Sequence, residues 1–390
     1  MSQLRIPAVY MRGGSSKGIF FRAEALPVDP IERDRLLLRL CGSPDPYGKQ
    51  IDGIGGGSSS TSKVVILAPS RRPDCDIDYL FGAVSVDSPI IDWSGNCGNL
   101  SAAVGPFAIS EGWVVVPPNG IATVRIWQAN IAKRIIAHVP MQDGLVVEEG
   151  GFQLDGVAFP AAEIGLEFLD PGGMGGDAMF PTGRPLDSLD IPGIGRLPAT
   201  MINAGNPTIF IAATALGLDG TELQDRINND TMLLARCETI RAHAAVAMGL
   251  ATSTTEATEK RPATPKLAFV AAPKSYLASD GKRVAKEDID LLIRILSMGK
   301  LHHAVTGTGA VALAVASVIP GTVVHDIATG SGGNGRTRMG HPSGILGVGA
   351  EVLLQDGEWI VTKAIMSRSA RRIMEGWVRV PSAIPNYSDR

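Results

Sequence analysis

The sequence is poor in cysteine: Cys41, Cys75, Cys97 and Cys237 are scattered over 390 residues. That is too few, and too dispersed, for a disulfide framework, so reduced thiols in a cytosolic protein are the simpler reading. No apolar run approaches the roughly 20 residues that span a bilayer. The N-terminal stretch MSQLRIPAVYMRGG lacks the apolar core and cleavage site of a signal peptide. The expectation is a soluble cytoplasmic protein with no membrane partner. An excess of one charge is also missing, since 36 basic and 39 acidic side chains are mixed along the chain for a net charge of −3. Without a basic stripe, nucleic acid is not expected as a partner. An anionic ligand would be held by a few local charges. H-x-x-x-H and C-x-x-C spacings are absent too, so no protein-bound metal is expected.

What is present is a chain 45% hydrophobic with 46 glycines and 26 prolines, long enough for two domains of ordinary size. Strand-length apolar runs recur: AVYM, GIFF, KVVILAP, VRIWQA, TIFIAA, KLAFVAAP, EWIVTKAIM and GWVRVP. Helix-like segments lie between them, in PIERDRLLLRLCG, NDTMLLARCETIRAHAAVAMG and AKEDIDLLIRILSMGKLHHA. The mixing without strict alternation predicts an α+β fold.

The chain also repeats itself. IPAVYMRGGSSKGIF from Ile6 matches LPATMINAGNPTIF from Leu197, setting Arg12 opposite Asn203. TSKVVILAP and TPKLAFVAAP each put a lysine, Lys63 or Lys266, before a strand. GNCGNLSAAVG has Cys97 where VTGTGAVALAV has Thr306. The offsets grow smoothly, through 191, 203 and 209 residues (Ile6 to Leu197, Lys63 to Lys266, Cys97 to Thr306). Two related domains are therefore expected, 1–185 and 186–390, divided in the Gly/Pro-rich segment at about residues 170–195, with the last strand either closing the second domain or crossing to the first. Facing each other, they would form a cleft floored by paired helix starts.

A helix N-terminus presents unpaired N–H groups and roughly half a positive charge, so it can hold a carboxylate without a cationic side chain. It also favours a thiolate placed there. Cys97, between glycines ahead of LSAAVGPFAI, fits that role. An unpaired cysteine is more often a small core residue; the matching Gly-rich site in the other half argues for function. Cys41 and Cys237 read as helix-core residues and Cys75 as part of a surface loop. Lys63 closes the polar loop GIGGGSSSTSK and opens VVILAP, where partial desolvation would suit a general base. The loop itself, Gly56, Gly57, Ser58, Ser59 and Ser60, offers donors to anions but lacks the order of a nucleotide-binding P-loop. Arg12 and Lys17 flank a Gly/Ser turn as a carboxylate clamp. His302 and His303 precede the second Gly-rich helix start; adjacent side chains should diverge, and His302 is taken as the one facing the cleft. For His341, cleft lining and turn capping stay open.

These residues resemble the PrpF branch of the diaminopimelate epimerase-like fold nearly end to end. The resemblance is carried by MRGGSSKGIFF, QIDGIGGGSSSTSKVVIL, SGNCGNLSAAVGPFAI, ATMINAGNPTIF, TPKLAFVAAP, SMGKLHHAVTGTGAVA and GHPSG. It implies two pseudo-symmetric domains, each a sheet wrapped around a central helix, with a cofactor-free site between them. Amino-acid epimerases of that fold carry a cysteine at both helix starts. Here Thr306 replaces the second, so a symmetric two-thiol racemase is not expected. The resemblance implies acid–base isomerisation by Lys63 and Cys97, with substrate carboxylates on Arg12, the Gly56–Ser60 loop, Lys266, Ser297 and His302. Lys17, the flanking Asn96, Gly98 and Asn99, and the second helix start at Gly307, Thr308 and Gly309 complete the expected binding set.

The chemistry such residues support is removal of a proton from a methylene conjugated to an alkene. The resulting dienolate has a rotatable former double bond, and reprotonation gives the geometric isomer. The expected reaction is interconversion of cis- and trans-2-methylaconitate in the methylcitrate route of propionate breakdown, with no metal, flavin or nicotinamide. The alternatives are an allylic shift on a related acid such as 4-oxalomesaconate or 3-methylitaconate, and a non-catalytic carboxylate-binding protein. A homo-oligomer is compatible with the sequence.

Overall fold

Residues 3–173, 178–328 and 335–381 are described by the structure, a computed structural model. The Gly-rich segment expected to divide the chain lies partly outside them. The first part runs β1 (Gln3–Gly13), β2 (Ser16–Arg22), α1 (Pro30–Cys41), β3 (Lys63–Pro69), β4 (Ile77–Val84) and β5 (Ile91–Asp92). It continues with α2 (Ser101–Ser110), β6 (Gly120–Gln128), β7 (Lys133–Gln142), β8 (Leu145–Val146) and β9 (Ile164–Leu169). The second begins with β10 (Asp187–Ile191), β11 (Gly195–Ala204), β12 (Asn206–Ala212), α3 (Gln224–Asn228), α4 (Thr231–Ala247) and α5 (Thr254–Lys260). Then come β13 (Lys266–Ala271), β14 (Tyr276–Leu277), β15 (Arg283–Val284), β16 (Leu291–Ser297) and β17 (Lys300–Leu301). The chain closes with α6 (Gly307–Val318), α7 (Val323–Ile327), β18 (Arg336–His341), β19 (Gly344–Gln355), β20 (Glu358–Arg368) and β21 (Ala370–Pro381).

The fold is α+β on a mixed sheet, as the unalternating pattern predicts. Hydrogen bonding runs β21–β1–β2–β3–β4–β6–β7–β9, and the same order of partners recurs as β10–β11–β12–β13–β16–β18–β19–β20. The parallel pairs fall at matching places, β2–β3 and β4–β6 in the first run, β12–β13 and β16–β18 in the second. β9 pairs with β20 to join the runs, and β21 crosses back to lie antiparallel to β1.

Each run wraps a helix. α2 packs on β1, β6, β7, β8, β9 and β21, and α6 on β11, β12, β18, β19 and β20. Both helices are buried almost throughout, as their compositions require: SAAVGPFAI and GTGAVALAVAS have no polar face to show solvent. Side chains from both helices belong to one continuous apolar core. α1 carries the expected stop and start signals. Asp29 caps it by accepting from the Glu32 N–H at 2.9 Å, Pro30 opens it, and Gly42, at φ 80°, ends it.

Two expectations need correction. AKEDIDLLIRILSMGKLHHA is not a helix: Lys286–Asp288 forms one 3-10 turn and Leu291–Ser297 a wholly buried strand. A short, uninterrupted apolar run satisfies a strand covered on both faces as well as a helix, and burial on both sides decides here. Arg294 at its centre is held by the carbonyls of Glu222, Ile293 and Gly340 and stacks on Tyr276. Cys75 does lie in a loop, but its side chain is buried. Cys41 and Cys237 are in helix cores as expected. Among the described residues no helix is long and apolar enough to cross a membrane.

Candidate active site

Lys63 and Lys266 are the first residues of β3 and β13, and both side chains are buried, 8% and 7% exposed. Cys97 opens the turn that leads into α2, and Thr306 is the cap of α6, at matching places of the two runs. The Cys97 sulfur accepts from the Leu100 N–H at 3.5 Å, and Thr306 Oγ1 from the Gly309 N–H at 3.2 Å, three residues on in each case. The two starts meet at their glycines. A Cβ on Gly98 would lie 2.9 Å from the Gly307 carbonyl carbon, and one on Gly307 would lie 2.7 Å from that of Gly98. Only a missing side chain allows this approach of backbone to backbone.

A small enclosed pocket surrounds that contact. It is lined by Lys63, Cys97, Asn96, Gly98, Asn99, Lys266, Ser297, His302, Gly307 and Thr308, ten of the residues predicted for the site. Arg12, Lys17, Gly57, Ser58, Ser59 and Ser60 line instead a wide neighbouring cavity of about 1720 Å³. Ser16 borders both spaces. Two predicted residues line neither. Gly56 is packed on the Thr61 side chain, and Gly309 faces Ile295 with its N–H already used by Thr306. Arg12 and Lys17 are opposed across the β1–β2 hairpin. The Arg12 guanidinium is tied to the Gly14 carbonyl and to Ser369, while Lys17 lies over the Tyr10 ring.

The pocket's electrostatics follow from burial. Lys63 Nζ sits 5.2 Å from the Phe81 ring centroid. Lys266 Nζ donates to the Ala263 carbonyl at 3.1 Å and to Ser297 Oγ at 3.5 Å. Burial first, then the neighbouring Lys63 charge, pulls the Lys266 pKa down to about 8. Burial, with His303, Lys63 and Lys266 adding to it, drives His302 well below the usual histidine range. Asn96 is 3% exposed, and neither its amide nitrogen nor its amide oxygen has a partner among the described residues. An unpartnered buried amide is costly, and this one opens onto the pocket.

The histidine expectation is half corrected. The two rings do not diverge but stack, with centroids 4.9 Å apart and a 22° interplanar angle, and both meet Ser60 Oγ at 3.1 Å. They lie in an irregular segment between β17 and α6, where neither helical nor strand alternation applies. Even so, His302 lines the inner pocket and His303 the outer cavity. His341 caps a turn, accepting from the Ser343 N–H at 3.2 Å, and lines neither space.

These buried neutral histidines make the fold acid-sensitive. Burial lowers His303 and brings His341 to about 3. Below about pH 6.5 the unfolded chain takes protons that the folded one refuses, so stability falls as pH drops, by up to about 1.4 kcal/mol per pH unit for each histidine. Urea unfolding at pH 7.5 and pH 5.5 should show a large loss at the lower value. Equal stability at both would contradict this assignment.

Sequence reasoning missed several residues of the site. Asn206 lines the pocket and bridges the two runs: its side chain accepts from the Asn96 N–H and donates to the Asn96 carbonyl, both at 2.9 Å. The repeat held the signal, because Gly205 matches Gly14 at the same offset of 191. Both have positive φ, 73° and 52°, at the apex of a hairpin lying against its own helix start. Asp92 joins the runs as well, accepting from the Ala263 N–H at 2.8 Å. The buried Arg368 donates to Asn99 Oδ1 at 3.0 Å. No local pattern marks these last two.

A family model described as PrpF protein matches residues 3–381. The chain belongs to the PrpF family. It is 61% identical to the 2-methyl-aconitate isomerase of Shewanella oneidensis, over 97% of this chain and 98% of the relative. The enzyme of that name from Cupriavidus necator is equally similar over the same shares. The 3-methylitaconate isomerase of Eubacterium barkeri is 41% identical over 98% of each chain. Among solved structures, a methylitaconate-delta-isomerase superposes with a TM-score of 0.76 at 40% identity, covering 97% of this chain and 96% of that one. A probable proline racemase from Agrobacterium radiobacter, at 15% identity and TM-score 0.55, shares the fold.

Proposed function

We propose that this protein is a cofactor-independent isomerase that interconverts cis- and trans-2-methylaconitate, acting in the cytoplasm in propionate breakdown. Two pseudo-symmetric lobes, one around each central helix, would hold the substrate between their helix starts. Lys63 and Cys97 take and return the methylene proton. The N–H groups of Gly98, Asn99, Gly307 and Thr308, which no hydrogen bond among the described residues uses, face the growing carboxylate charge. Lys266, Ser297, His302 and Asn96 orient the carboxylates from the inner pocket, and Arg12, Lys17 and the Gly57–Ser60 loop from the approach side.

The observation that carries this reading is the composition of the inner pocket. Two buried lysines, a thiol at a helix start and an amide with no protein partner converge there, a set that only an anionic, polar ligand would complete. The 61% identity to two 2-methyl-aconitate isomerases supports the choice of substrate. The pocket has free volume of about 20 Å³, room for about one water. Substrate entry therefore requires the pocket to widen.

A second reading, an allylic shift of the double bond, is supported by the likeness to methylitaconate isomerases. Proton NMR of the protein with 2-methylaconitate, 3-methylitaconate and 4-oxalomesaconate separates the two. The first reading expects the geometric isomers of 2-methylaconitate to interconvert fastest with the double bond in place. Migration of the double bond as the main reaction would replace it with the second.

A further inference from the structure

Lys266 is placed to do more than bind a carboxylate. It occupies in the second run the position Lys63 holds in the first, opening a buried strand that runs parallel to the second arm of a hairpin. Its amine reaches the same pocket as Cys97 and Lys63. Two of its three N–H directions are fixed, on the Ala263 carbonyl and Ser297 Oγ, and a third remains for a ligand. The Ala263 peptide is itself fixed from both runs. Its N–H is held by Asp92, and Arg241 grips the carbonyls of Ala257, Arg261 and Thr264 around it. Nothing in carboxylate binding alone calls for an amine this well aligned.

The isomerisation supplies a need. Rotation about the former double bond exchanges the positions of the groups on one alkene carbon. If the carboxylate on the other carbon stays anchored, the deprotonated carbon swings away from the group that took its proton. Resting on the isomerase reading above, we propose that Lys266 is a second proton-transfer residue, serving the substrate carbon on the far side of that rotation. In one direction the Lys63–Cys97 wall takes the methylene proton and the C–H electron pair enters the dienolate. After rotation that pair takes a proton from the Lys266 ammonium. The proton held at the first wall then passes to the neutral Lys266 amine, restoring both groups. The reverse reaction runs the same steps backwards, and no other reactant is consumed.

The surroundings allow Lys266 to hold either protonation state near neutral pH. Burial and Lys63 disfavour its charge, as does Arg241, while Cys97 and Asp92 favour it. His302, on the facing segment, is kept neutral by its own burial.

Lys266→Arg separates the two roles, because it keeps the charge and donors but cannot shed a proton at usable pH. The experiment follows 2-methylaconitate in heavy water by NMR, reading isomer formation and loss of the substrate's own methylene hydrogen separately. The Ki of propane-1,2,3-tricarboxylate reports the binding site. The proposal expects isomerisation to fall about 100-fold or more, while hydrogen exchange at the first wall stays within about tenfold and Ki changes little. Lys266→Gln should show the same split between exchange and isomerisation, with a weaker Ki because the charge is lost. Parallel loss of exchange and isomerisation in both variants, or isomerisation in Lys266→Arg within tenfold of the parent protein, overturns it. A parent protein inert towards 2-methylaconitate would instead overturn the isomerase reading.

Discussion

Replacing Cys97 with serine is expected to lower turnover by about a thousandfold while leaving the fold intact. The sulfur does two separable things. In the turn ahead of α2 it accepts the Leu100 N–H, a bond that a serine hydroxyl at the same place can also accept. As the proposed acid–base group it would gain and lose a proton at each turnover, and a hydroxyl sheds its proton far less readily than a thiol. General acid–base groups are worth about 10²–10⁴ in rate, so the loss should lie in that range. The second half of the molecule already shows the matching bond made with oxygen, since Thr306 Oγ1 accepts from the Gly309 N–H. Thermal unfolding should therefore move little, by about 1 kcal/mol or less, while steady-state rates collapse. Near-normal turnover in Cys97→Ser would remove the thiol from the chemistry.

Gly98→Ala should be comparably damaging for a different reason. The added methyl would stand 2.9 Å from both the Gly307 carbonyl carbon and the Thr308 nitrogen, atoms of main chain rather than of a side chain that can turn aside. Relief comes only from moving one helix start away from the other. Overpacking of this kind costs about 1–3 kcal/mol. The same displacement spoils the placement of Cys97 and of the N–H groups on both helices, and misplacement by about 1 Å can cost a hundredfold in rate. Gly307→Ala should behave alike, because its methyl would meet Gly98 and Asn99. The two effects should not add, since one displacement relieves both clashes. Unfolding and initial-rate measurements on the single and double variants check this. Wild-type stability and rate in either single variant would show that the contact is not as close as described.

How far the sequence disclosed this arrangement depends on whether a residue's role is local. Lys63, Lys266, Cys97 and Thr306 were legible because each sits at a fixed place on its own strand or helix start, and the repeat shows that place twice. The order of strand partners follows the same repeat. The role of Asn206 depends on a partner 110 positions away, and that of Asp92 on one 171 away. Such pairings exist only once the two runs face each other. The strand Leu291–Ser297 reads as helix in the sequence because an apolar run covered on both faces has no period to betray it. Gly56 joins the expected set as part of the resembling Gly/Ser loop and Gly309 as part of the second helix start, yet each packs on a neighbouring side chain instead. His303 lies beside His302 because divergence of neighbouring side chains does not govern irregular backbone.

The proposed chemistry is proton transfer by Lys63 and Cys97 at the meeting point of two helix starts. Its most direct test is deuterium uptake at the substrate methylene, followed by NMR in heavy water for the parent protein and Lys63→Met. The parent should interconvert the two isomers of 2-methylaconitate, each gaining deuterium at that carbon with the double bond unmoved, and Lys63→Met should incorporate none over the same time. Interconversion and deuterium uptake undiminished in Lys63→Met would contradict it.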